Sequence, residues 1–331
     1  MTSIVAGENA TTLTVSGDVF AVPVTSISNT AFTEENTSHL AVIDLSETAV
    51  TISGNRSELN ALKNIHSEAL IYMPATASVT GTNVVSKTDT GFTCDDYQLT
   101  DGGLCAVPYD FTATTATMNR EFVANKKCTV CLPFNFTATG GTFYKFTGIN
   151  NGKVQMTAQE PNSMLEANTP YIFEPNEGTE AIVSENVEVS ISDTPQTDNE
   201  EAKFSFIGTY EPIVWDHPSG IYGYAAEQQG LTEVGQFVRV GSGASISACR
   251  AYLQYTGEGT ISESRGYQSM KKLPERYDIL WIPYGSTTSI NVVEQSSNDD
   301  DHVPAYNLNG QKVSNSYKGI VIKNGKTMIR K

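Results

Sequence analysis

Short runs of β-branched and aromatic residues, closed by glycine, asparagine or proline, recur along most of this sequence. Such runs are typical of strands, because these side chains pack well on a pleated sheet and the closing residues favour turns. The clearest runs are 142–146, 154–158, 170–174, 187–191, 204–208 and 237–240. We therefore predict a mainly β fold class, with an antiparallel β-sandwich-like or barrel-like module as its largest part.

Helical periodicity is scarce by comparison. Leu59, Leu62 and Ile65 recur at a spacing of three, and Ser57 is a suitable N-cap. We expect a short helix over 57–65.

Charge separates the end of the chain from the rest. The formal net charge is −16, from 21 basic and 37 acidic residues, and so acidic a chain repels a phosphate backbone. We expect no nucleic-acid partner. Residues 304–331, however, hold six basic residues and no acidic one, and they follow the acidic stretch 296–303. The sequence has no apolar run long enough for a transmembrane segment, and the residues after Met1 do not have the pattern of a signal peptide.

Five cysteines are too few for a disulfide framework in a chain of 331 residues. Cys94 and Cys105 are close in sequence, so either a disulfide between them or free buried thiols fits the pattern. Cys128 and Cys131 have the CxxC spacing, but strand geometry points side chains three apart to opposite faces. We expect these two thiols to pack in the core and not to bind a metal.

The spacings of common catalytic motifs do not occur in the sequence. There is no HExxH, GxSxG, GxxxxGK[ST] or GxGxxG. The four histidines are far apart along the chain. We expect no catalytic residue, no metal and no cofactor, and a protein that is not an enzyme. A site assembled by the fold, with His217 beside a carboxylate and a nucleophile, is the enzymatic alternative.

One segment combines a large aromatic side chain with polar groups at a turn. It contains Trp215, Asp216 and His217, and Tyr222 and Tyr224 follow shortly after. A tryptophan face beside a carboxylate is a common arrangement for stacking and orienting a sugar ring, so these five residues are the candidate ligand-binding site. The alternative is that Trp215 packs inside the sandwich and that the segment is an ordinary hairpin.

The first ninety residues contain two or three degenerate repeats. Ile27, Ala31 and Phe32 precede the run 40–46, and weaker versions follow at 48–52 and 62–74. These pieces resemble the BspA-like leucine-rich repeats of bacterial surface proteins, in which an I-x-x-x-A-F turn precedes an L-x-x-I-D-L strand. The resemblance implies a leucine-rich-repeat cap that ends a longer array or leans on its neighbour.

The middle block contains six characteristic runs, 112–122, 129–134, 141–144, 167–173, 220–225 and 249–253. In this order the runs resemble a β-module found near the C-termini of secreted Bacteroidetes proteins. They alternate aromatic side chains through strands, which is a packing pattern.

The basic tail contains Tyr306, Leu308, Gly310, Val313, Gly319 and Gly325. These residues match the pattern Y-x-L-x-G-x-x-V followed by K-G-[IV]-[YV]-[IV]-x-x-G. With this pattern the tail resembles the C-terminal sorting domain of Bacteroidetes type IX secretion cargo. Asn309-Gly310 and Asn324-Gly325 are also typical hairpin turns. The resemblance implies that secretion machinery binds the tail and that the protein reaches the cell surface or the extracellular space.

Together these features divide the chain into five parts. We expect a degenerate leucine-rich-repeat cap at 1–90, a connector at 91–110, a β-sandwich-like module at 111–295, an acidic linker at 296–303 and a small sorting-type β domain at 304–331. The resemblances imply a secreted or cell-surface, non-enzymatic recognition or adhesion protein that binds a host protein or a glycan. The alternative function is a non-catalytic accessory C-terminal region of a larger secreted hydrolase.

Overall fold

The chain forms two compact units, Met1–Tyr284 and Gly285–Lys331. A computed structural model describes residues 11–15, 18–19, 22–228, 233–257, 273–286, 305–307, 312–313, 318–323 and 326–330. Strands dominate these ranges, so the predicted mainly β fold class is confirmed. The one described helix, α1 Glu34–Thr37, is a single turn, and none in these ranges is long and apolar enough to cross a membrane.

The first unit is built from short and medium-length strands. In chain order they are β1 Thr12–Thr14, β2 Asp18–Val19, β3 Val22–Pro23, β4 Val42–Asp44, β5 Ser53–Asn55, β6 Leu70–Met73, β7 Ser78–Thr80, β8 Val84–Thr88, β9 Gly91–Thr100, β10 Phe111–Phe122, β11 Cys128–Val130, β12 Phe136–Thr137, β13 Gly141–Asn150, β14 Lys153–Ala158, β15 Met164–Leu165, β16 Tyr171–Pro175, β17 Thr179–Val189, β18 Gln196–Asn199, β19 Phe204–Thr209, β20 Ile213–Val214, β21 Ile221–Tyr224, β22 Gln236–Arg239, β23 Ser245–Ile246, β24 Arg250–Tyr255 and β25 Arg276–Ile282.

A seven-stranded sheet has the order β1-β4-β6-β8-β9-β10-β17. Its first four strands are short and parallel, with Ile43 opposite Ile71 and Ile71 opposite Val84. These three side chains pack in one core, whereas Val42 and Leu70 pack in another. The two inner parallel strands, β4 and β6, are therefore buried on both faces, as is usual for strands with nearly continuous apolar runs.

The predicted connector at 91–110 differs from the structure. Its first ten residues form β9, which pairs with β8 and β10 in the same sheet as the parallel strands. Cys94, Tyr97 and Leu99 on β9 are buried. The sheet therefore runs without interruption from the repeat-like region into the middle block.

The helix expected over 57–65 is also absent, and this segment forms successive turns. Leu62 and Ile65 are nevertheless buried, and Leu59 is partly buried against the same core. Successive three-residue turns, like helices, repeat side chains at a spacing of about three. The sequence pattern therefore identified the buried face correctly, but not the backbone conformation.

A ten-stranded sheet has the order β11-β16-β13-β14-β25-β22-β21-β24-β19-β18 and curls on itself. Asn199 at the end of β18 donates a side-chain hydrogen bond to the carbonyl oxygen of Thr147 on β13. At the opposite edge of the sheet, Thr129 Oγ1 on β11 accepts a hydrogen bond from the backbone N–H of Ala251 on β24. Each of the six runs predicted as strands overlaps a strand of one of the two large sheets.

The two large sheets share a core, as expected for a sandwich-like arrangement. Phe111, Met118 and Val187 come from the seven-stranded sheet, and Val130 and Phe173 come from the ten-stranded sheet. The module is not purely antiparallel, however, because β9 pairs with β10 and β14 pairs with β25 in parallel. A third core fills the inside of the curled sheet.

The second unit contains a four-stranded antiparallel sheet. Its strands are β26 Ala305–Asn307, β27 Lys312–Val313, β28 Gly319–Lys323 and β29 Lys326–Arg330, in the order β27-β26-β28-β29. Lys323 pairs with Lys326, which leaves two residues between β28 and β29, the length of a tight hairpin. The two predicted hairpin turns themselves lie outside the described residues.

Candidate functional site

The turn that begins at Trp215 follows a two-stranded ladder. Strands β20 and β23 pair, with Val214 opposite Ser245. The backbone N–H of Trp215 donates to the carbonyl oxygen of Ala244 at 2.9 Å, and the N–H of Gly243 donates to the carbonyl oxygen of Trp215 at 2.8 Å. These hydrogen bonds fix the backbone of Trp215 beside a second turn, at 241–244. We call these two segments, 215–217 and 241–244, the Trp215 turn.

The side chain of Trp215 packs on the surface of the curled sheet. It meets Tyr252 on β24 edge to face, with ring centroids 5.3 Å apart and an interplanar angle of 79°. Ala251 and Leu253, which flank Tyr252 on β24, point into the third core, so Tyr252 faces the opposite side of the sheet. Trp215 therefore belongs to none of the three cores, and Val214 before it is 71% exposed.

Two polar side chains stand in solvent directly after this tryptophan. The side chains of Asp216 and His217 are 87% and 90% exposed, and His217 Nε2 lies 3.5 Å from Asp216 Oδ1. Ser242 Oγ donates a hydrogen bond to the same carboxylate oxygen at 3.3 Å. His217 has a φ of +48°, a left-handed conformation that turns the chain sharply. The two segments of the turn thus present one aromatic ring, a carboxylate, an imidazole and a hydroxyl close together.

Tyr222 and Tyr224 do not join this surface. They are two residues apart on β21, so both face the inside of the curled sheet. Tyr222 is fully buried, and its hydroxyl donates to the carbonyl oxygen of Pro274 at 2.9 Å. Tyr224 packs against Phe237, with ring centroids 5.8 Å apart. The structure therefore keeps three of the five candidate residues together and assigns the two tyrosines to the interior.

A second aromatic group lies at one end of the curled sheet and was not predicted from the sequence. Trp281 is partly buried there and packs against the third core, and the ring of Tyr144 lies 4.7 Å from it. The ammonium group of Lys127 sits 4.8 Å from the centroid of the Trp281 ring and 2.5 Å from Glu174 Oε1.

The charges of this second group are paired internally. Glu174 also accepts a hydrogen bond from the hydroxyl of Tyr144 at 3.0 Å. Burial and this carboxylate raise the pKa of Tyr144 to about 12. The charged groups beside Trp281 are mostly buried and paired, whereas Asp216 and His217, although in contact with each other, are almost fully exposed. Tyr144, Glu174 and Trp281 come from separate strands and Lys127 precedes a fourth, so no local pattern in the sequence could have revealed the group.

All five cysteines are free thiols. Cys131 is fully buried, and its sulfur lies 3.6 Å from the hydroxyl of Tyr210. Burial raises the pKa of Cys128 as well as that of Cys131. In the part of the chain that the structure describes, no three His, Cys, Asp or Glu side chains are grouped to hold a metal ion.

The residues matched to the sorting pattern fall partly in strands. Tyr306 lies on β26, Val313 on β27 and Gly319 on β28. The remaining three residues of the pattern, Leu308, Gly310 and Gly325, lie outside the described residues.

No protein family, curated protein or solved structure matches this chain. The residues and their geometry therefore have to support any statement about function.

Proposed function

We propose that this chain is a secreted or cell-surface recognition protein without enzymatic activity, and that its Trp215 turn binds a neutral glycan. The observation that carries the proposal is the position of Trp215. A large apolar ring is held outside every core, beside exposed hydrogen-bonding groups.

The chemistry of this turn suits a sugar ring. A sugar presents C–H groups on one face and hydroxyl groups around its edge, so it binds an aromatic ring and polar side chains together. Trp215 supplies the aromatic ring, held from one side by Tyr252. Asp216 accepts hydrogen bonds from sugar hydroxyls, and the ring nitrogens of His217 supply further hydrogen-bonding groups.

The overall charge favours a neutral sugar over an acidic one. A net charge of −16 repels sulfated and sialylated glycans at long range. The exposed carboxylate of Asp216 adds a repulsion of the same sign at the turn itself. The resemblance of the basic tail to a sorting domain supports delivery of the protein to the cell surface or beyond.

A glycan and extracellular-matrix array compares three forms of the full chain: wild type, Trp215→Ala and Tyr284→Ala. Tyr284 is 54% exposed, so its replacement removes another surface aromatic ring and serves as the control. We expect wild type and Tyr284→Ala to bind the same neutral glycans, and Trp215→Ala to lose at least about tenfold in affinity, or ~1.4 kcal/mol.

Three results would overturn the proposal. Equal binding by Trp215→Ala and wild type removes the turn from recognition. If Trp215→Ala loses binding to matrix proteins but keeps binding to glycans, the ligand of the turn is a protein and not a glycan. A preference for sulfated or sialylated sugars contradicts the role assigned to the negative charge.

A further inference from the structure

Two segments that are distant in sequence lie side by side at the edge of the core shared by the large sheets. Arg250 Nη2 donates hydrogen bonds to both carboxylate oxygens of Asp101, at 2.7 and 2.8 Å. A Cβ atom added to Gly102 would lie 3.7 Å from Ser247 Oγ, which is ordinary van der Waals contact. The segment 101–105 is thus held against the segment 247–250.

These segments bring two buried thiols together. Cys105 is 7% exposed and Cys249 is 2% exposed, and both belong to the same core. Cys105 acts more strongly on the Cys249 thiol than any other group and raises its pKa. On its other side, the Cys105 sulfur lies 3.9 Å from the hydroxyl of Tyr97.

The backbone of Cys249 is held in an unusual conformation. Its φ is +59°, in the left-handed region that glycine and asparagine occupy most easily. Its N–H donates to the carbonyl oxygen of Thr209 at 2.7 Å, and its own carbonyl oxygen accepts from the N–H of Cys131 at 3.2 Å. Residues in such conformations persist where the surrounding structure fixes them, and here the fixed backbone sets the direction of the thiol.

We propose that Cys105 and Cys249 form an intramolecular disulfide when the protein folds in an oxidising environment. The oxidant is a small-molecule disulfide such as oxidised glutathione. One cysteine thiolate attacks it, forming a mixed disulfide and releasing one small thiolate. The second cysteine then attacks the mixed disulfide and releases the other. The two cysteines lose two electrons and two protons, and the oxidant is reduced to two thiols.

The bond forms before the core closes or during a local opening of it. Cys105 and burial raise the pKa of the Cys249 thiol, so the folded, reduced protein holds little of the reactive thiolate. We therefore expect oxidation to accompany folding, and the folded reduced protein to oxidise slowly.

The test refolds the full chain with reduced and oxidised glutathione, blocks free thiols and maps the peptides by mass spectrometry without reduction. We expect the peptides that contain Cys105 and Cys249 to be linked, and the other three cysteines to carry the blocking group. Because the bond closes a long loop, reductant should lower the Tm of the oxidised protein by roughly 5–15 °C.

Two variants complete the design. Cys128→Ser is the control that removes a thiol from outside the pair, and it should keep the link and the Tm difference. Cys249→Ser should lose both. If that variant does not fold, the wild-type peptide map alone decides. Free Cys105 and Cys249 after oxidative refolding, or a link from either residue to Cys94 or Cys131, would overturn the proposal. None of these outcomes depends on glycan binding.

Discussion

Replacing Arg56 tests how the parallel strands of the first unit are held together. This side chain is 7% exposed, and it has no ion-pair partner among the residues that the structure describes. Its guanidinium donates instead to three backbone carbonyl oxygens: those of Ala69 at 3.0 Å, Thr82 at 2.9 Å and His66 at 2.6 Å. Burial lowers the pKa of Arg56 to about 10, which still leaves it charged at neutral pH.

Loss of this side chain leaves the three carbonyl oxygens without their donor. Hydrogen bonds to a charged donor contribute about 1.5–3 kcal/mol each, and the apolar burial of a methionine offsets about 1.5–3 kcal/mol of the total. We therefore expect Arg56→Met to lower the free energy of unfolding by about 3–5 kcal/mol. Arg56→Lys keeps a charge but not the planar fork, and we expect an intermediate loss of about 1–3 kcal/mol.

Native-state hydrogen exchange measures this effect locally, because a chain with several sheets need not unfold in one step. The amides of Leu70 and Ile71 on β6 report on the region. Lys63→Met, at an exposed position in the same segment, is the control. Unchanged exchange of these amides in Arg56→Met, or equal effects of Arg56→Met and Lys63→Met, would contradict the role assigned to the guanidinium.

Alkaline pH should destabilise the reduced first unit, because burial raises the pKa of Cys94 and Cys131 from 9.0 to about 12. The unfolded chain releases these protons first, so each thiol should lower the free energy of unfolding by about 1.4 kcal/mol per pH unit between about pH 9 and 12. Urea titrations across this range measure the slope, and a constant midpoint would refute the expectation. Gly141→Ala should cost more than about 2 kcal/mol, because the new Cβ would overlap the carbonyl oxygen of Glu174. In Gly178→Ala the new Cβ would make only ordinary contact, so the free energy of unfolding should stay within about 0.5 kcal/mol of wild type. Equal Tm values for Gly141→Ala and Gly178→Ala would count against the packing argument.

The strands could be predicted from sequence because their signals are local. The runs 142–146 and 154–158 alternate or concentrate β-forming residues and end at turn residues, and both are strands in the structure. The pairing of strands could not be predicted in the same way. Val154 pairs with Ile279 in a parallel ladder, and no short-range pattern connects two residues so far apart in sequence.

Only part of the candidate site could be predicted, because only its consecutive residues give a local signal in the sequence. Trp215, Asp216 and His217 are consecutive, so a single turn keeps them together. Tyr222 was assigned to the site by its closeness in sequence, but strand geometry turns it into the core. Similarly, Cys105 is nearest to Cys94 among the cysteines in sequence, whereas the fold places it beside Cys249.

The fluorescence of Trp215 tests recognition by its turn most directly. The chain has two tryptophans, so Trp281→Phe leaves Trp215 as the only one, and Trp215→Phe leaves only Trp281. Each single-tryptophan protein is titrated with the neutral glycan that wild type binds most strongly on the array, and acrylamide quenching is measured with and without it.

Recognition by the turn predicts that the glycan shifts the emission of the Trp215-only protein and protects it from acrylamide, with wild-type affinity. The Trp281-only protein should show weaker binding and an unchanged spectrum. Wild-type affinity in both proteins, with a spectral response from Trp281 alone, would contradict the proposal and place the ligand at the other aromatic group.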